Sequence, residues 1–134
     1  ELKPMPLSPE NAAEHWSIEL DGTEKTNSRW MTYMSDALKT AKTFEIHCWA
    51  EETECIELAL QYGKQKDTDW QYGKIIAGDV TPEFCTFLLG LPKPTDTELY
   101  TNMTPFFTIS LDNGFWSEHY GTELTSTGWQ ASGV

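Results

Sequence analysis

The chain contains one arginine, Arg29, among its 134 residues. Nine Lys plus Arg stand against twenty-one Asp plus Glu, a formal net charge of −12. A nucleic-acid binder needs clustered cations to neutralise phosphates, so this shortage argues against DNA or RNA as a partner. It argues equally against an anionic membrane surface. Long apolar runs are missing, and no stretch reads as a transmembrane helix. The first residues, ELKPMPLSPEN, lack the basic start and apolar run of a secretory signal. They also lack an initiating Met, so the start is expected to be processed or trimmed, with removal of an earlier signal left open. The three cysteines, Cys48, Cys55 and Cys85, form no CxxC and are odd in number. Reduced thiols in a cytoplasmic protein are the simple expectation. GxSxG, P-loop, GxGxxG, HxH, HExxH and zinc patterns are all absent, which weakens an enzyme reading and leaves no cofactor or metal site to expect.

What is present is a chain of ordinary domain size, 39% hydrophobic and 13% aromatic. Such a composition is too apolar for disorder, and a domain of this length buries roughly two thirds of its surface on folding. Residues 1–14, with Pro4, Pro6 and Pro9, read as an extended lead-in. Trp16, Ile18 and Leu20 alternate with Ser17 and Glu19 as a half-buried strand closed at Asp21-Gly22. Ser28 is a suitable cap for a helix over about 29–41. Its inner arc would hold Trp30, Met31, Tyr33, Met34, Ala37, Leu38 and Ala41.

Residues 44–57, FEIHCWAEETECIE, crowd a histidine, two cysteines and five glutamates together. Periodicity resolves the crowd into a strand followed by a helix. Phe44, Ile46, Cys48 and Ala50 point one way, and Glu45, His47 and Trp49 the other. Glu51, Glu52 and Glu54 fall at the start of the helix, where its dipole favours negative charge, and Gly63 ends it. Cys48 and Cys55 then read as buried thiols.

KQKDTDW reads as a loop, GKIIAGDV as a central strand, and the QYGK repeat at 61–64 and 71–74 as chance. Thr81 and Pro82 open a short helix that Gly90 closes. Residues 91–105 read as a long loop. Asn113-Gly114 marks a two-residue hairpin turn pairing Leu111 with Trp116, Ile109 with Glu118 and Phe107 with Tyr120. Residues 124–134 read as a flexible polar tail. The expected architecture is a single α+β domain over 15–123. Its mixed sheet has about five strands, packs with about three helices and ends in an antiparallel hairpin.

The two-residue turn places Glu118 on the apolar face of the hairpin, where burial would raise its pKa and suit it to general acid or base work. A three-residue turn would reverse that face. His119 would sit on the polar face. If their strands were neighbours, His47, His119 and Glu45 could converge on an acid–base or metal site. Cys85 lies near a helix start, where thiol pKa values fall, but among Phe84, Phe87 and Leu88 it reads as core. Trp49 and Trp70 read as exposed aromatics that can anchor a protein interface or stack on a sugar ring.

In size, acidity and single arginine the chain shares the general character of immunity proteins and other inhibitors of basic toxins or nucleases, although no motif carries that likeness. It implies a non-catalytic protein-binding or inhibitory module, immunity- or antitoxin-like, docking a basic protein partner. The docking set would be Trp49, Glu51, Glu52, Glu54 and Trp70 with the 91–104 loop. The alternative is a small enzyme or ligand-binding domain whose pocket uses Glu118 with His47 or His119.

Overall fold

A computed structural model describes residues 16–21, 26–94 and 102–126. Ten elements follow in the order β1 (Trp16–Glu19), α1 (Ser28–Leu38), β2 (Thr43–Trp49), α2 (Thr53–Leu60), β3 (Lys64–Lys66), β4 (Gly73–Asp79), α3 (Pro82–Gly90), β5 (Thr108–Leu111), β6 (Phe115–Glu118) and β7 (Glu123–Ser126). The strands form one seven-stranded sheet in the order β1-β7-β6-β5-β2-β4-β3. Every neighbouring pair is antiparallel. The α+β class stands, but the mixed sheet of about five strands does not. Each helix joins two strands that are not adjacent in the sheet, so no parallel βαβ pair arises.

Strand alternation sorts the side chains into two faces. Phe44, Ile46 and Cys48 of β2 are fully buried on one, with Ile76, Ile109, Leu111, Phe115 and Leu124. The helices cover this face. Trp30, Met34 and Leu38 of α1 and Phe84 and Leu88 of α3 enter the same core. The Phe84 ring lies flat on Phe44, centroids 3.9 Å apart, and Tyr62, just past α2, stacks on Phe87. Trp30 donates from Nε1 to the buried Ser117 Oγ at 3.0 Å, which satisfies both polar atoms in the core. Thr81 caps α3 as its sequence promises, accepting from Phe84 N at 3.0 Å, with Pro82 in the first turn. The cap residue of α1 is Asn27 instead of Ser28; its buried side chain donates to Met103 O and Leu91 O.

The hairpin corrects the sequence expectation most. Its register pairs Ile109 with Ser117 and Ser110 with Trp116, so the loop has three residues, 112–114. Gly114 takes the left-handed conformation (φ 90°) that such a loop needs. Asn113 is committed elsewhere: its Nδ2 donates to Ala37 O and Thr40 Oγ1 at the end of α1. One residue of slip reverses the faces of β6, so Ser117 enters the core and Trp116 and Glu118 leave it. Phe107 is likewise not core but packs, half-buried, on Trp49. Trp16, expected inward, is 39% exposed at the sheet edge. The flexible tail expected from 124 begins inside β7, whose Leu124 is buried. Cys55 is half-buried, while Cys48 is buried.

Candidate functional site

All three helices lie on one face of the sheet, and the opposite face carries a different population of side chains. β2 contributes Glu45, His47 and Trp49, each half-buried. Register then places the neighbours. Ser17, Thr125, Trp116, Ser110, Glu45, Ala77 and Lys64 form one row from edge to edge. One step along the strands, Glu19 faces Glu123 and Glu123 faces Glu118, while Thr108, His47, Ile75 and Lys66 face one another in turn.

The centre of this face is aromatic. Gly73 is the partner of Trp49 in the β2–β4 register, and a Cβ at Gly73 would overlap the Trp70 indole. The missing side chain therefore lets Trp70 fold back from its loop onto the sheet. Trp70 meets Trp49 edge-on at 5.0 Å and His47 at 6.4 Å. His47 stands perpendicular to Trp116 at 6.2 Å, and Phe107 joins Trp49 to Tyr120 and His119. A continuous aromatic belt results, running from the β6–β7 turn to β6 itself.

Charge is divided along the same face. At the β3 edge Lys66 bonds Glu45, and Glu45 Oε1 bonds His47 Nε2 at 3.1 Å. The Lys66 bond holds the Glu45 carboxyl below its ordinary pKa, against partial burial, with His47 adding to the effect. At the other end Glu19, Glu123 and Glu118 are direct cross-strand neighbours on three strands. Like charges so placed repel. His119 Nδ1 lies 2.9 Å from Glu123 Oε1 at the turn.

That turn is strained and firmly held. His119 (φ 53°) and Tyr120 (φ 59°) are both left-handed, and Gly121 follows at 90°. Tyr120 N donates to Phe107 O, Tyr120 O accepts from Met103 N, and the Tyr120 hydroxyl donates to Glu52 Oε2 at 2.6 Å. Glu52 Oε1 accepts from Trp49 N at 2.8 Å. Burial first, and then the Glu52 contact, push the Tyr120 phenol above its ordinary pKa.

The expected residues divide accordingly. Trp49 and Trp70 come together and are half-buried rather than freely exposed. Glu51 is exposed just after β2 and Glu54 is exposed in the first turn of α2, while Glu52 serves as an internal acceptor. Glu118 lies on the open face, half-buried next to Glu123, instead of among apolar neighbours. His47 pairs with Glu45, and His119 with Glu123, so the two histidines do not share a carboxylate. Among the described residues no three His, Cys, Asp or Glu side chains gather as a metal site would require. The thiols are not activated: burial lifts Cys48 to about 12 and Cys55 to about 11, and raises Cys85. Sequence reasoning missed Trp116 and Phe107, and the signal that could have found the Trp70 fold-back was Gly73 opposite Trp49. No helix among the described residues is long and apolar enough to cross a membrane.

Fold and site together define a class: a two-layer α+β protein with an open antiparallel face bearing aromatics and carboxylates. No family model matches the chain, and no curated protein or solved structure is significantly similar to it.

Proposed function

We propose that the protein is a non-catalytic binding module, inhibitory in the sense of an immunity protein, and that it docks a basic protein partner on its open sheet face. The observation that carries this reading is the Glu19–Glu123–Glu118 row set beside the aromatic belt of Trp116, His47, Trp70, Trp49 and Phe107. Half-buried aromatics supply contact area, and a row of like charges is relieved when cations arrive. The lysines of this face, Lys64 and Lys66, lie at the far edge, and Lys66 is already bound to Glu45. A net charge of −12 adds long-range attraction for a basic partner. Glu51, exposed two residues beyond Trp49 in the chain, adds to the acidic rim.

A small-ligand reading based on Glu118 with His47 or His119 has less support. Two grooves among the described residues, about 320 and 630 Å³, are both lined by Tyr33, Asp36 and Lys39 at the C-terminal half of α1, and Glu118, His47 and His119 line neither of them.

Titration with a nona-arginine peptide, followed by tryptophan fluorescence, tests the proposal. Affinity should fall at least about tenfold between roughly 50 and 500 mM NaCl. The double variant Glu118→Gln/Glu123→Gln should bind several-fold more weakly, while Glu57→Gln/Glu83→Gln, equal in charge but on the helices, should bind as the wild type does. Equal weakening by both pairs would reduce the effect to net charge and remove the site.

A further inference from the structure

We infer that the group taken up at the centre of the open face is an arginine side chain of the partner, its guanidinium laid on the Trp116 indole and paired with Glu118. The inference rests on the docking reading and specifies the partner's chemistry. Trp116 and Glu118 are two residues apart on β6, so they project from the same face roughly 7 Å apart along the strand. That spacing suits a planar cation that stacks with its face and bonds with its edge. Trp116 is half-buried and flanked in register by Ser110 on β5 and Thr125 on β7, small side chains that leave part of the residue open to solvent and carry hydroxyl oxygens. His47 meets the indole perpendicularly and fixes its plane.

The choice of arginine over lysine follows from exposure. Trp116 and Glu118 are half-buried, not enclosed, so a bound cation keeps part of its contact with water. An ammonium gains little by leaving water for such a site. A guanidinium is less strongly hydrated, stacks on indole, and offers five donors in a fixed fork to Glu118 and the flanking hydroxyls.

The test compares nona-arginine with nona-lysine at equal ionic strength, using the wild-type protein and Trp116→Leu. The wild type should favour nona-arginine by about threefold to fivefold. Trp116→Leu should erase that preference, lowering nona-arginine affinity by more than it lowers nona-lysine affinity. Should Trp116→Leu not fold, Glu118→Gln replaces it and should narrow the same ratio. Equal affinities in the wild type would overturn the arginine inference and leave the docking reading standing; binding of neither peptide would overturn both. Binding of a neutral oligosaccharide such as cellohexaose at Trp116, in place of either peptide, would assign the ring to sugar stacking and also defeat the inference.

Discussion

Tyr120 donates its phenol hydrogen to Glu52 across 68 residues of sequence, joining the β6–β7 turn to the start of α2 at 2.6 Å. The same carboxylate accepts from Trp49 N, so one side chain ties the turn to the end of β2. The turn needs such a tie, because left-handed backbone at His119 and Tyr120 costs roughly 1–2 kcal/mol per residue. Tyr120→Phe removes the only one of these bonds that its side chain makes. A hydrogen bond to a charged group is worth about 1.5–3 kcal/mol, and urea unfolding of Tyr120→Phe should show a loss in that range. Unchanged stability would mean that the backbone bonds hold the turn without help.

The same contact predicts a response to alkali. The folded-state pKa of Tyr120 is raised above its ordinary value of about 10. Its contribution is therefore complete below about pH 10 and is lost as pH rises towards the folded value. Unfolding midpoints measured from pH 8 to 11 should decline less in Tyr120→Phe than in the wild type. Parallel declines would count against the bond.

Gly73→Ala should expel Trp70 from the sheet, since the new methyl and the indole claim the same space. The cost should be about 1–3 kcal/mol, as for other overpacked sites. Acrylamide quenching of tryptophan fluorescence should rise at the same time. A variant with wild-type quenching would show that Trp70 does not need the gap.

Thr104 is buried, and its Oγ1 has no hydrogen-bond partner among the described residues. Thr104→Val keeps the shape and removes the orphaned hydroxyl. It should leave stability unchanged or raise it by about 1 kcal/mol. A loss of that size in thermal or urea unfolding would reveal a bond to the hydroxyl.

Periodicity made the helices and the inner strands legible. The alternation of residues 44–49 places each side chain of β2 on its observed face, and Thr81-Pro82 marks the start of α3. The short strands escaped. β3 is three residues of Lys-Gln-Lys that alternate nothing apolar, and β7 has one buried side chain, Leu124. Pairing with neighbours distant in sequence makes them strands, and that information is not local. The hairpin failed for a similar reason. Asn113-Gly114 favours a two-residue turn locally, but Asn113 bonds to the end of α1 and the turn widens by one residue. The positive-φ pair instead falls at His119-Tyr120, which carries no glycine or asparagine to announce it. As Glu118 and Trp116 change faces with that single residue, the open-face site was legible only in part, through Trp49, Trp70 and His47.

Docking of a basic partner on the open face would change the surroundings of three tryptophans and spare two others. It is tested most directly by the indole N–H resonances of the tryptophans in a ¹⁵N–¹H spectrum, followed while nona-arginine is added. Trp30 projects from α1 into the core and is fully buried with its N–H given to Ser117, and Trp16 lies at the sheet edge, lining the groove beside Tyr33. The signals of Trp49, Trp70 and Trp116 should move together and saturate, while those of Trp30 and Trp16 stay in place. Movement of Trp16 with the other three fixed would put the docking surface on the α1 side and rule out the open face.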